Sequence, residues 1–405
     1  MKFRAPCSWL SVFAVVAGNV HLLCADTPSE PETPMVDDGI HANLTRTKNQ
    51  EGTTALVESF RETRKRFREA AALDTSLSYY TLGLAAVGGT ELQSGFSGEL
   101  SLQGVWKPGA RWQDHATGLH FRMRHRHAFG DTAASSLGGE IGTFWGLTDG
   151  FSAAGFEIPD FFLEQYFERA GVLVRYGQMT VDSQFDKHQL RSSKKSFLNQ
   201  AFSSNPAVGF PRSGAGVSLV KEFENGWQLA MAATNVQGSI AGEQIDYKLN
   251  SDNLFNAVQL GRDFELRNGK DARLQLLVWR SDGSEELESS AGGGVSLTYE
   301  QEISADMRAF ARLAWVDGGA TPVDRLLMGG VGISCSDNGL IGLGIGIGEG
   351  NVTGSGIQGV VEGFYRWQSR SGFNITPDVQ IVAGNGFNSS PGVRLVAGLR
   401  MGIEF

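Results

Sequence analysis

Cysteine, long apolar runs and positive charge are all scarce in this chain of 405 residues. Two of its three cysteines, Cys7 and Cys24, fall in the first 25 residues, so Cys335 has no internal disulfide partner once that segment is removed. No later stretch is as long and as apolar as a membrane-spanning helix. The net charge of −9 argues against a nucleic-acid partner. The sequence therefore excludes a disulfide scaffold and a helical membrane protein.

Residues 1–25 have the three parts of a secretory signal peptide. Lys2 and Arg4 form the charged start, and an apolar stretch follows over residues 9–23. The small residue Ala25 suits the cleavage point. We therefore expect the mature protein to be exported.

Residues 26–75 are predicted to form a periplasmic leader. Its first part, 26–38, is rich in Pro, Thr and acidic residues, which is typical of disorder. The segment 51–73 has apolar residues at helical spacing, with five basic residues between them, and is predicted to be a helix. A cationic helix sometimes binds nucleic acid or a membrane surface, but we interpret this one as a solvated face.

Residues 360–405 alternate between apolar and polar side chains with a period of two, which predicts strands. One face carries Val361, Tyr365, Val379, Ile381, Leu395 and Leu399. The other carries Glu362, Arg366, Asp378, Gln380, Arg394 and Arg400. In a soluble sandwich the apolar face packs in a core, whereas in a transmembrane barrel it meets lipid and the polar face meets a wet lumen. A chain that ends on Phe405, without a polar tail, favours the barrel.

The same period continues from residue 76 and predicts sixteen strands. They are 76–88, 96–107, 116–127, 161–168, 171–178, 213–223, 226–236, 254–265, 271–281, 291–303, 306–316, 326–335, 339–348, 356–368, 372–383 and 393–405. From the third strand on, short connections alternate with long ones, which is typical of short periplasmic turns and long outer loops. Half of each strand is polar in such a barrel, which agrees with a mean hydropathy of only −0.16.

The predicted fold class is all-β, an antiparallel transmembrane β-barrel of about 16 strands over 76–405, with a short N-terminal helix. An even strand count places both chain ends in the periplasm. The segment 138–147 also looks like a strand, but a seventeenth strand would break this parity. We therefore place it inside the long loop 128–160.

Several motifs resemble those of a known family. Glu362-x-Phe364-Tyr365-Arg366-x-Gln368, followed by Phe373-x-Ile375-Thr376-Pro377-Asp378-Val379-Gln380, resembles the closing hairpin of the carbohydrate-selective outer-membrane porins. Leu163-Glu164-Gln165, Arg175-x-Gly177-Gln178 and Phe197-Leu198-Asn199-Gln200-Ala201-Phe202 are similar to theirs as well. The resemblance spans roughly 76–405 and implies a sixteen-stranded channel that admits sugars by diffusion.

Strand 116–127 puts three arginines and a histidine on one face and apolar residues on the other. An arginine that faces lipid near the bilayer midplane costs about 2–4 kcal/mol, so this face is predicted to line the lumen. The predicted lining residues on strands are Arg122, Arg124, Arg126, Glu164, Arg175, Glu362, Arg366, Asp378, Gln380 and Arg394. Guanidinium groups donate to sugar hydroxyls, while carboxylates and amides accept from them. Alternatively, these charges only keep the lumen wet and balance one another.

The long loop 179–212 is the predicted constriction, because loops well beyond about 15 residues are usually functional or disordered. Its candidate residues are Phe185, Asp186, Lys187, Arg191, Phe197 and Asn199. If the loop folds inward, its aromatic rings are expected to lie against the apolar face of a sugar. The alternative is an external loop with no role in selection.

Two motifs invite other chemistry and are set aside. His125 and His127 share a face, but His120 lies on the opposite one, so the three do not converge on a metal ion. The alternating glycines of 342–348 lack the spacing and the following helix of a nucleotide loop, and are interpreted as a strand with a small lumen face. No cofactor is expected.

The sequence thus predicts a bacterial outer-membrane porin, not an enzyme, for carbohydrates and similar small polar solutes. A general, non-selective porin is the first alternative. A lipase-like barrel needs a Ser–His pair with a third partner near the outer rim, and we find none. A plugged structural barrel conflicts with the many arginines of the lumen. The expected partners are a carbohydrate and outer-membrane lipid, and the expected oligomeric state is a monomer or a homotrimer.

Overall fold

The computed structural model describes residues 55–87, 92–107, 117–239, 242–285, 289–335, 338–351, 354–369, 371–387 and 392–405. The predicted signal peptide and most of the predicted leader lie outside these residues.

Sixteen strands form one closed antiparallel barrel in which each strand pairs with the next along the chain and the last pairs with the first. They are β1 Leu73–Val87, β2 Leu92–Trp106, β3 Thr117–Ala128, β4 Gly155–Phe167, β5 Val172–Met179, β6 Gly214–Glu222, β7 Trp227–Asn235, β8 Leu254–Glu265, β9 Asp271–Ser281, β10 Gly292–Ser304, β11 Met307–Gly318, β12 Val323–Cys335, β13 Gly339–Gly350, β14 Ile357–Gln368, β15 Phe373–Gly384 and β16 Gly392–Glu404. The predicted fold class is confirmed, and all sixteen predicted strands occur in the predicted order.

Strand β4 shows the largest difference from the prediction, because it begins at Gly155 and not at residue 161. Its pairing with β3 shifts register between Arg122 and Arg124, so a bulge interrupts the period of two. The alternation of apolar and polar residues is interrupted at this bulge. The sequence pattern therefore does not predict the first part of β4.

Among the described residues the barrel is accompanied by one α-helix of 17 residues, α1 Ala55–Ala71, and by two of four residues, α2 Leu137–Glu140 and α3 Gln200–Ser203. The predicted helix 51–73 corresponds to α1, which Arg64 fastens to β1 through an ion pair with Asp74 at 2.9 Å. The segment 138–147 contains no strand, as the parity argument predicts. No helix among the described residues is long and apolar enough to cross a membrane.

The barrel wall has an apolar outer face and a mostly polar inner face. Exposed side chains of the outer face include Val258, Leu260, Leu276, Leu343, Ile345, Val361, Val379, Ile381, Leu395 and Leu399. Exposed aromatic residues lie near both ends of the strands, Trp106, Phe167, Phe223 and Trp367 at the short-turn end and Phe96, Phe129, Phe156 and Trp315 at the long-loop end. Inward residues such as Glu362, Thr376 and Gln380 are completely buried. This is the arrangement that a barrel needs in order to sit in lipid.

The inner face of β13 is made of glycines, and the structure shows what they accommodate. A Cβ on Gly344 would lie 3.0 Å from the rings of Phe197 and Phe202, and one on Gly348 would lie 2.7 Å from Trp145. Those aromatic rings belong to two long connections, 129–154 and 180–213. Both connections therefore fold into the barrel and pack against its wall.

Gly177 lies near the end of β5 and pairs with both neighbouring strands. Its φ of +135° is one that residues with a Cβ rarely adopt, and a Cβ there would lie 2.6 Å from the carbonyl oxygen of Phe161. The next residue, Gln178, is completely buried. Two residues later the connection 180–213 begins, which we call the first inward loop; the connection 129–154 is the second inward loop.

Candidate functional site

The first inward loop is held by buried side chains of β14 and β15. The carboxylate of Glu362 accepts the backbone N–H groups of Leu198 at 2.5 Å and Asn199 at 2.9 Å. The side chain of Asn199 donates to Gln380 at 2.9 Å, and Gln380 donates in turn to Asp378 at 3.2 Å. Each of these side chains therefore has at least one hydrogen-bond partner within the protein, as is usual for buried polar residues.

On the same side of the barrel, Arg312 of β11 fixes another part of the first inward loop. Its Nε lies 2.8 Å from the carboxylate of Asp186, and both side chains are at most 1% exposed. The same guanidinium donates to the backbone carbonyls of Asp186 at 3.0 Å and Ser204 at 2.5 Å. A planar group with five fixed donors suits this set of acceptors better than a lysine would.

Other wall residues bond to the backbone of the same loop. Gln259 of β8 accepts from the N–H of Asp186 at 2.7 Å, and Glu300 of β10 accepts from that of Gln189 at 2.9 Å. Arg400 of β16 donates to the carbonyls of Ser193 and Ser196. The loop is thus held through backbone atoms from several sides of the barrel, which fixes its path.

The second inward loop packs beside the first, although its sequence gave no sign of an inward path. Its Trp145 is completely buried, and Thr143 donates to Gln358 of β14 at 2.5 Å. Arg394 of β16 donates to the carbonyl of Ile141. The two loops also bond to each other, since the N–H of Gln200 donates to the carbonyl of Gly146 at 2.8 Å.

Phe185 and Phe197 of the first inward loop do not face the channel, which corrects the expectation that these two rings contact a sugar. Phe185 and Phe197 are completely buried in two apolar clusters inside the barrel. Phe197 packs against Phe310 and Phe364, which point inward from β11 and β14. Apolar inward residues on these strands attract the loop, so its rings hold it in place.

A cavity of about 1440 Å³ passes along the remaining part of the interior. At one end it is lined by residues of the short turns, including Ala305 and Asn338. At the other end it reaches the long loops, including Ala320 and Ser239. The cavity therefore reaches both ends of the barrel. It runs between the first inward loop and β1 to β4, and at the short-turn end it is also lined by β11 to β14.

The arginines of β3 line this cavity, each beside a carboxylate of a neighbouring strand. Arg122 lies 2.8 Å from Asp160, Arg124 lies 2.8 Å from Glu157, and Arg126 lies 2.9 Å from Glu99. In all three pairs the two residues are direct cross-strand neighbours in the sheet. The pairs set a row of fixed charges along one wall.

Lys194 of the first inward loop completes this charged cluster. Its ammonium lies 3.0 Å from Glu99 and 3.4 Å from the centre of the Phe151 ring, which belongs to the second inward loop. Burial, reinforced by the positive charge of Arg126 and opposed by Glu99, lowers the pKa of Lys194 to about 8. In the same cluster, burial raises the pKa of Asp149. Lys194 therefore joins both loops to the wall at the edge of the channel.

His188 of the first inward loop is buried against β11. Burial, followed by the charges of Arg312 and Arg191, holds its pKa well below the ordinary value. Its ring stacks on Phe310 with the ring centres 3.8 Å apart, and Nε2 lies 3.0 Å from the carbonyl of Phe202. This histidine thus packs the loop against β11.

The residues predicted as a site divide into two groups. Those that line the cavity are Arg122, Arg124, Arg126, Lys187, Arg191 and Arg366. Those that do not line it, and contact neighbouring strands or an inward loop, are Glu164, Arg175, Phe185, Asp186, Phe197, Asn199, Glu362, Asp378, Gln380 and Arg394. In the part of the chain that is described, no group of three or more His, Cys, Asp and Glu residues could hold a metal ion.

Sequence reasoning missed the carboxylates that pair with the β3 arginines. Glu99 alternates with apolar Leu100 and Leu102 on a predicted strand, so the same parity argument would have found it. Glu157 and Asp160 precede the predicted start of β4, and the bulge there left no periodic signal. Phe210 also lines the cavity and was not among the predicted site residues. Its ring centre lies 5.8 Å from the guanidinium of Arg191.

Comparison with solved structures finds the same barrel in known porins. Pseudomonas putida OprB at high pH superposes with a TM-score of 0.72 at 14% identity, covering 86% of this chain and 97% of that one. Its low-pH form gives a TM-score of 0.56 at 14% identity over 89% of this chain and all of that one. An engineered variant of the Rh. blastica porin gives 0.52 at 13% identity over 82% of this chain and all of that one.

Comparison by sequence is narrower. No curated protein matches this chain. Residues 244–405 match the family model described as carbohydrate-selective porin, OprB family. The predicted resemblance is therefore confirmed: the barrel has the porin fold, and its C-terminal part, residues 244–405, matches the carbohydrate-selective porin, OprB family.

Proposed function

We propose that this protein is an outer-membrane porin, a passive channel for carbohydrates and similar small polar solutes. The observation that carries the proposal is the cavity that connects both ends of a closed barrel whose outer face is apolar. An apolar outer face fits lipid, and a polar, continuous interior fits diffusion of hydrated solutes.

The lining of the cavity suits sugars. It offers hydroxyl and amide groups at the short-turn end, from Ser76, Ser78, Ser101 and Gln103, and guanidinium groups along β3. Sugar hydroxyls both donate and accept, so a wall with both kinds of partner can replace water around them. The family match over 244–405 supports carbohydrates as the solute class.

The porin fold and the bacterial porins it resembles point to the outer membrane of a Gram-negative cell. The same likeness points to a channel and away from catalysis. A monomer or a homotrimer remains the prediction for the oligomeric state, and chemical cross-linking in native membranes distinguishes the two.

The test is the single-channel conductance of the refolded protein in a planar bilayer, titrated with mono- and disaccharides. Saturable block of the current by sugar is expected, because a solute held by the lining displaces ions. Open current without block would leave a general porin. Absence of current would move the balance to a plugged structural barrel or to a lipase-like one.

A further inference from the structure

The charge of the channel differs in sign from that of the whole chain. The chain has a net charge of −9 at pH 7. Ten Lys and Arg residues line the cavity against six Asp and Glu residues. Asp160 and Glu302 pair with lining arginines from outside the cavity, and counting them still leaves an excess of two positive charges.

The cations lie on both sides of the passage. Arg122, Arg124 and Arg126 project from β3, while the first inward loop supplies Lys187, Arg191, Lys194 and Lys195. A solute that passes between the loop and β3 therefore meets positive groups on either side. Low-dielectric walls focus such a field into the water between them.

Carboxylates in this cluster are shared between cations. Glu99 lies within 3.0 Å of both Arg126 and Lys194. Glu157 lies 2.8 Å from Arg124 and 3.6 Å from Arg126. Three cations thus surround two carboxylates.

We propose that the channel favours anions and takes sugars that carry a single carboxylate in preference to neutral sugars of the same size. This inference rests on the proposed function and goes beyond it by naming a charge class. Rings of Arg and Lys select anions in pores. Hydroxyl groups of the lining serve the remainder of the sugar, as they would serve a neutral one.

Two recordings on the refolded full barrel test the proposal. In a potassium chloride gradient, the reversal potential is expected to show chloride to be more permeant than potassium. In block titrations, glucuronate is expected to reach half-block at a concentration roughly three- to fivefold lower than glucose. This is the effect of one unit charge about 10 Å away at an effective dielectric constant of about 40.

A matched pair of double variants assigns the effect to the lining. Arg124→Gln with Lys194→Gln removes two charges that line the cavity, and is expected to abolish both preferences. Arg262→Gln with Arg280→Gln removes two exposed charges from the outer face of β8 and β9, and is expected to leave both preferences unchanged. Comparison of boiled and unboiled samples on a gel verifies that each variant is a folded barrel.

The outcomes separate this inference from the proposed function. If glucose blocks but potassium is preferred, or if glucuronate blocks no better than glucose, the charge preference is overturned while the sugar porin stands. If neither sugar blocks an open channel, both proposals fail. If the outer-face pair abolishes the preference as completely as the lining pair, the field does not come from the lining and the inference is overturned.

Discussion

Two sides of the barrel interior are built from the same residue types and behave differently. On the side of β11 and β14, Arg312 and Glu362 are completely buried and bond to an inward loop. On the side of β3, Arg124 and Arg126 bond to carboxylates of neighbouring strands and line a passage. Whether an inward charge holds a loop or faces a solute depends on where the loops lie, and the residue type does not decide it.

The energetic consequences of the two environments differ as well. A buried ion pair is costly to break, because removal of one partner leaves an uncompensated charge in a low dielectric. An ion pair beside water is worth little, since water solvates whichever partner remains. Substitutions on the loop-holding side should therefore change stability, and those on the channel side should change permeation.

The largest effect is expected for Arg312→Ala, which leaves the carboxylate of Asp186 buried without its partner. The free energy of unfolding, measured by urea titration in lipid vesicles, should fall by about 3–5 kcal/mol. Release of the first inward loop should also raise the single-channel conductance.

The control for this variant is Arg273→Ala on the same inner face. Its ion pair with Asp263 is partly exposed, at 35% and 56%, so its loss should cost about 0–1 kcal/mol. Equal destabilisation by the two substitutions would show that the loop-holding side has no special energetic role.

A smaller effect on stability, and a clear one on permeation, is expected for Arg124→Ala. Its partner Glu157 still has Arg126 at 3.6 Å and borders the cavity. The free energy of unfolding should therefore fall by no more than about 1 kcal/mol. The shorter side chain should widen the passage and raise the conductance, and the lost charge should lower the anion preference. An unchanged channel in a planar bilayer would contradict the place of Arg124 on the channel wall.

The sequence predicts those parts of this arrangement that depend on the periodicity of the strands. Alternation gives the sixteen strands and the inward face of the strand arginines that are predicted to line the lumen, because a period of two is a local property. It gives no contact between a loop and the wall. The path of the first inward loop depends on Arg312 and Glu362, which lie more than a hundred residues away along the chain.

The roles of individual residues were harder to predict for the same reason. Phe185 and Phe197 have the composition of a sugar platform, but apolar inward residues of the wall bury their rings. Conversely, the sequence predicts a small lumen face for the β13 glycines, but it does not predict that Trp145 and Phe202 pack against them. Knowledge of which inward positions are apolar, strand by strand, would have indicated the side on which the loops pack.

The smallest expected effect is a pH dependence that belongs to the channel side alone. The pKa of Lys194 is lowered from 10.5 to about 8, chiefly by burial, so this lysine loses its charge between about pH 7 and 9. The anion preference should therefore fall over that range by the contribution of one charge. Lys194→Gln should give a low, flat preference, and Lys194→Arg a high, flat one, because arginine stays protonated. The reversal potential in a salt gradient, recorded at each pH, provides the measurement.

The shifted pKa of Lys194 also predicts how the free energy of unfolding changes with pH. Its pKa is lower in the folded barrel than in the unfolded chain, so the unfolded state binds the proton more tightly. Stability should then rise with pH between about 8 and 10.5 in the wild type, and this increment should be missing in Lys194→Gln. If the reversal potential shifts with pH in Lys194→Gln as it does in the wild type, another group titrates there, and Lys194 is not the residue that sets the charge of the passage beside Glu99.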